Sequence, residues 1–112
     1  MEMPKRYKIL VSKDAMQDIK NTKEYILNTF HYRAYAENFS KKIREAIEKL
    51  EPFPFACEDA ECSIEGFKVY YRPYSTYIIF FVVDGDAIIV VRVLKDRMYW
   101  KAILNRMKHF DL

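Results

Sequence analysis

Apolar positions along the chain switch between two spacings, and the switches divide it into elements. Tyr7-Lys8-Ile9-Leu10-Val11 reads as a first strand. Ser12 comes next as a natural helix N-cap, with Asp14 in the first turn. Ala15, Ile19, Ile26 and Phe30 then recur at helical spacing, and Met16 and Leu27 widen the stripe. This predicts a first helix from about Lys13 to about Asn28, with Phe30-His31-Tyr32 as the turn. A second stripe is cleaner: Ala36, Phe39, Ile43, Ile47 and Leu50 share one face, with Ala46 beside them. Pro52 and Pro54 stop that helix. The short connection predicts an antiparallel helical hairpin.

Past the prolines the period changes. Residues 52–65 read as a loop. Gly66 opens a strand in which Phe67, Val69 and Tyr71 face one way and Lys68, Tyr70 and Arg72 the other. Pro73-Tyr74-Ser75 turns the chain. Tyr77–Val83 is apolar on both faces and so reads as a central, covered strand. Asp84-Gly85 is a type I′ hairpin signal. Ala87–Leu94 is a β-branched strand interrupted by Arg92, and a short helix is expected from about Met98 to Met107. The order β-α-α-β-β-β-α predicts an α+β fold: an antiparallel sheet of about four strands, one face covered by the helical hairpin, the other carrying Lys68, Tyr70 and Arg72.

Composition narrows this. The 112 residues make one domain, 1–112, large enough to bury a core without metal or disulfides. Two Gly and four Pro exclude low complexity and leave no Gly-rich phosphate cradle. The net charge of +3 conceals three blocks: residues 1–50 are basic, 51–65 hold five acids and no Lys or Arg, and 66–109 are basic again. The charged opening Met1-Glu2…Lys5-Arg6 is not a signal peptide, and no apolar run is long enough to span a membrane, so a cytoplasmic protein is expected.

Candidate chemistry is sparse. Cys57 and Cys62 lack a second ligand pair, since His31 and His109 are isolated, so no metal site is expected. Acids around the thiols argue against a nucleophilic cysteine. What remains is a set of cations and phenols on the C-terminal sheet: Lys68, Tyr70, Arg72, Arg92, Arg97, Tyr99 and Trp100. A guanidinium within an apolar strand is costly unless paired, so Arg92 is expected to be bonded to a structural acid. Phe53, Phe55 and Tyr74 are candidate contacts for a partner.

Two stretches carry a family resemblance. YIIFFVVDGDAIIVVRVLKDRMYWKAIL, residues 77–104, resembles the C-terminal half of the RelE/ParE toxins of type II toxin–antitoxin systems, also called plasmid stabilisation proteins. YKILVSKDAMQDIKNTKEYI resembles their opening strand and helix. The family includes RelE-type enzymes that cut mRNA in the ribosomal A site and ParE-type members that poison DNA gyrase. The resemblance implies catalytic roles for Lys68, Arg72, Arg97 and Tyr99 if the chain is RelE-type, and target or antitoxin binding by Tyr70, Arg92 and Trp100. Tyr77-Ile78 lacks the arginine that RelE-type sequences often hold there. The tail Arg92-Val93-Leu94-Lys95-Asp96-Arg97-Met98-Tyr99-Trp100 is closer to the ParE-type ending, with Lys95 for the usual His and Tyr99 for the usual Asp.

The expectation is therefore a ParE-like bacterial toxin that needs no cofactor, poisons a target such as gyrase, and is neutralised by a cognate antitoxin, as a homodimer or a heterotetramer with it. The rivals are a metal-independent mRNA endoribonuclease (an mRNA interferase, with the ribosome and mRNA as target) and an inactive relative that only binds antitoxin.

Overall fold

The short first strand leaves its neighbour half paired, and the helices are placed by that deficit. The computed structural model describes residues 6–112; the charged opening before Arg6 lies outside them. Strand β1 (Lys8–Val11) pairs in parallel with β5 (Ala87–Lys95), and the pairing ends at Val11 opposite Val90. Beyond that point β5 has no strand on this side, and its backbone groups need other partners. Helix α1 (Lys13–Phe30) supplies them. Ser12 Oγ accepts the Ala15 N–H at 3.2 Å as the N-cap and donates to the Val91 carbonyl at 3.1 Å. Further along the helix the Asp18 carboxylate accepts the Val93 N–H at 3.0 Å and binds Arg92 through both oxygens, at 2.7 and 2.8 Å. The paired structural acid expected for Arg92 is Asp18.

The chain returns through α2 (Arg33–Glu48), forming the antiparallel hairpin. His31 turns it in the left-handed region (φ 59°), with its N–H donating to the Leu27 carbonyl at 2.8 Å, so α1 runs two residues further than its pattern suggested. Strands β2 (Glu58–Ile64), β3 (Phe67–Tyr74) and β4 (Tyr77–Asp84) come next, then β5 and the short α3 (Trp100–Arg106). The five-stranded sheet has the order β1-β5-β4-β3-β2, with β4 central as expected and only the β1–β5 pair parallel.

Four expectations need correction. The acidic stretch read as loop contains β2, which makes five strands rather than about four. Between Asp59↔Tyr70 and Ser63↔Lys68 it takes up two extra residues, with Glu61 at φ 60°. Ala60, Cys62 and Ile64 keep the two-residue spacing, but only Ile64 is a large apolar residue, so the strand signal is weak. The Pro73-Tyr74-Ser75 turn is displaced, because β3 continues through Tyr74 and the chain reverses at Ser75-Thr76. At the β4–β5 turn only Gly85 of the central pair Gly85-Asp86 has positive φ, which departs from type I′.

The largest correction concerns the faces. Tyr70 stacks on Phe81 and packs against the buried layer that Ile79, Phe81 and Val90 form with Ile43 and Ile47 of α2, so Lys68, Tyr70 and Arg72 face the helical hairpin. The opposite face is not open. Val69, Phe80, Val82 and Val91 form a second apolar layer there, roofed by Leu104, with Trp100, Met107 and Phe110 packed against it. β5 carries a bulge, with Phe80↔Arg92 followed by Phe81↔Val90. The bulge breaks the strand alternation: Val91 belongs to one layer and Val93, two residues on, to the other. Arg92 sits at this break, where its side chain reaches α1.

Asp18→Ala is expected to cost about 2–4 kcal/mol, because it strands a half-buried guanidinium and a strand N–H together. Arg92→Met should cost less, since Asp18 keeps the Val93 N–H. Denaturant unfolding of both variants checks the order; the reverse order would contradict the role given to Asp18.

Candidate functional site

Each side chain singled out from the sequence has a definite place. Lys68 pairs with Asp59 across the β2–β3 ladder at 3.1 Å and lies 5.7 Å from the Tyr70 ring. That hydrogen bond, with the carboxylate charge behind it, raises the Lys68 pKa. Asp59 is held below the ordinary aspartate value, first by the Glu61 N–H at 2.7 Å and then by Lys68. Tyr70 stacks on Phe81 at 5.8 Å and meets the edge of Phe55 at 5.6 Å. Arg72 donates from Nη1 to the Lys49 carbonyl at 2.9 Å and so caps the negative end of α2. Trp100 packs on Tyr71 at 5.5 Å and on Phe80 at 5.3 Å, as part of the apolar layer. Arg97 is exposed with no ion pair or hydrogen bond among the described residues, and Tyr99 is 89% exposed.

The structure does not gather the four residues with proposed catalytic roles. Tyr70 pairs with Phe81 and Tyr77 with Lys95. Lys68 lies two residues past Tyr70 toward the β4–β5 turn, whereas Arg97 lies two residues past Lys95, beyond the opposite end. Six residues separate the level of Lys68 from that of Lys95, roughly 20 Å at about 3.3 Å per residue, and Arg97 lies beyond Lys95. Lys68 and Arg72 are four residues apart on one strand, about 13 Å. No single phosphate reaches all of them.

Cys57 belongs to the hairpin-side layer and Cys62 to the layer under α3, so the sheet stands between them. Burial raises both thiol pKa values. Among the described residues no cluster of His, Cys, Asp or Glu could hold a metal, and no helix is long and apolar enough to cross a membrane.

What the fold does build is a groove. Two adjoining depressions, about 560 and 430 Å³, run along the helical hairpin toward the β1 edge and share Met16, Ile19 and Ser40. The floor is Ile9, Val11, Ile19, Ala36, Ile43 and Ile47. Lys20, Lys23, Arg33 and Arg44 alternate on the rim with Glu24, Glu37 and Glu48. β1 is the last strand of the sheet, so its outer edge borders the same groove. This geometry suits an amphipathic segment or an added strand. Helical spacing alone puts Met16 and Leu27 with the core stripe. Only Ala15 of α1 is fully buried, and Met16 stands 59% exposed on the groove. A signal for this exists in the sequence: the stripe is wider than a single packed face needs. Phe53 and Phe55 are exposed, at 61% and 59%, whereas Tyr74 is packed against the hairpin-side layer.

A family model described as "ParE toxin of type II toxin-antitoxin system, parDE" matches residues 9–100. No curated protein matches the chain at a significant level. A solved structure titled "Chromosomal ParDE TA system from P. aeruginosa" aligns with a TM-score of 0.64 at 13% identity, covering 80% of this chain and 95% of that chain. At that identity the likeness is one of fold.

In the folded protein both thiols should react with an alkylating reagent far more slowly than after unfolding, and oxidation should not join them within one chain. Mass spectrometry after timed alkylation reads both outcomes; a rapid intramolecular disulfide would contradict their placement on opposite faces.

Proposed function

The chain belongs to the ParE toxin family of type II toxin–antitoxin systems, and from that premise we propose that it arrests growth by binding and poisoning DNA gyrase, with a cognate antitoxin seated in the groove beside its helical hairpin. The observation that carries binding over cleavage is the dispersal of the cations. Arg92 is taken up by Asp18, Arg72 by the end of α2 and Lys68 by Asp59. A transesterification site needs its base and its phosphate-stabilising cation within about 3 Å of the same reacting group. The sheet face under α3 is filled by Val69, Phe80, Leu104 and the half-buried Trp100, which leaves no polar cleft there.

An antitoxin fits the groove by its chemistry. An extended or disordered chain that orders on binding can lay apolar side chains on Ile9, Val11 and Ile43 while its charges meet the mixed rim. Such a partner also accounts for the 59% exposure of Met16. One further copy of each chain would give the heterotetramer expected from the resemblance, and gyrase places the toxin in the cytoplasm.

The RelE-type reading keeps one observation in its favour: Arg97 and Tyr99 are both exposed and close in sequence after β5. Parallel assays separate the two. Induction without antitoxin is expected to stop growth, block gyrase supercoiling and leave mRNA intact. Codon-phased mRNA cleavage that Arg97→Ala abolishes would reject gyrase poisoning in favour of the nuclease. Met16→Glu should weaken antitoxin capture by roughly tenfold or more, about 1.4 kcal/mol, while growth arrest persists. Unchanged capture would remove the groove from the antitoxin site.

A further inference from the structure

Two segments far apart in sequence protrude at one end of the molecule. α1 tracks β5 through the Ser12–Val91 and Asp18–Val93 contacts to Tyr25, where Lys95 Nζ lies 4.3 Å from the ring centre. Lys95 is the last residue of β5, so the sheet ends there. α1 continues for five more residues, about 7.5 Å, and every residue from Asn28 to Tyr35 is exposed. Phe30, Tyr32 and Tyr35 are 52%, 63% and 55% exposed. Tyr35 meets Phe30 edge-on at 5.9 Å and Tyr32 at 5.3 Å, so the three rings form one cluster. On the other face of the sheet, the chain leaves β5 through Arg97, Met98 and Tyr99, all exposed.

Neither segment is needed by the core. Their residue types, Phe, Tyr, Met and Arg, are those that anchor protein interfaces. Their charge is one-sided: within residues 28–35 and 95–101, Arg33, Lys95, Arg97 and Lys101 stand against Asp96 alone.

We propose that this end is the target-binding surface of the toxin: the Phe30–Tyr32–Tyr35 tip inserts into an apolar, acid-rimmed pocket of a protein, and Arg97 and Tyr99 grip the same partner. The inference rests on the toxin reading and deepens it, by separating the surface that strikes from the groove that is neutralised. A second copy of this chain is a poorer occupant. The three rings expose roughly 100–150 Å² each, about half of the ~800 Å² per partner that a stable interface buries. A two-fold pairing would also set like charges together. Single-stranded nucleic acid fits less well too. The rings cross at 77° and 40° and offer no row of parallel open faces, and the four cations form no continuous track.

The test compares wild type with Phe30→Ser/Tyr32→Ser/Tyr35→Ser, with Tyr99→Ser and with Arg97→Glu, each confirmed folded by its thermal melt. Growth arrest is titrated by inducer, and binding to purified DNA gyrase is measured directly. The tip variant should lose both by roughly tenfold or more, Tyr99→Ser and Arg97→Glu should lose less, and antitoxin capture should stay within about twofold of wild type. Full growth arrest by the tip variant overturns the proposal. So does a wild-type dimer that the tip variant dissolves in sedimentation, or binding of a labelled single-stranded oligonucleotide that the tip variant loses. If wild type arrests growth without binding gyrase, gyrase is the wrong target and the inducer titration still decides the surface. A wild type that neither arrests growth nor binds gyrase removes the toxin reading and this proposal with it.

Discussion

The structure depends on how the backbone of β5 is satisfied past the end of β1. Four residues of parallel pairing stop at Val90, and from Val91 onward the strand would present bare carbonyls and amides beneath a helix. Ser12 and Asp18 fill that need from the cap and the first two turns of α1. Because the Asp18 carboxylate also holds Arg92 in two-point contact, the bond fixes where along β5 the helix lies and how it is rotated. Apolar burial drives the hairpin onto the sheet, but burial is non-directional. The register of α1, and so the position of the hairpin tip, comes from this polar contact.

Closing both faces of one sheet has a consequence for chemistry. The β4 residues Phe80 and Val82 lie in one layer and Ile79 and Phe81 in the other, so no charged group can sit on the middle of either face without a large desolvation cost. The cations are displaced to the periphery, and most acquire partners there. A small, mostly apolar interior of this kind leaves function to edges, grooves and protrusions, which are the features that recognise other proteins. The groove by β1 and the aromatic tip lie on different parts of the hairpin.

Much of this was legible in the chain. Helical spacing located α1 and α2, the two-sided apolar run marked β4 as central, and an unpaired arginine in a β-branched strand required an acid. These are local statements, and the period of the backbone enforces each of them within a few residues. The resemblance added the family and with it the toxin reading. Less legible was β2, whose inward positions Ala60, Cys62 and Ile64 alternate among acids and include one large apolar residue.

Which face a strand residue looks toward was beyond the sequence. Alternation put Lys68, Tyr70 and Arg72 together but could not say whether the helical hairpin lay above them or beneath, and they proved to face it. Lys68 is far from Arg97 because β3 and β5, both antiparallel to β4, run the same way: Lys68 stands near the start of β3 and Arg97 beyond the end of β5. The convergence of the Phe30 tip with the β5–α3 turn was likewise settled in three dimensions, because α1 runs parallel to β5 and outruns it. Elements and their apolar sides could be read along the chain, since those depend on neighbours three or four residues away. Which charges meet and which surfaces stand together required the folded molecule, since that depends on partners more than seventy residues apart, such as Asp18 and Arg92.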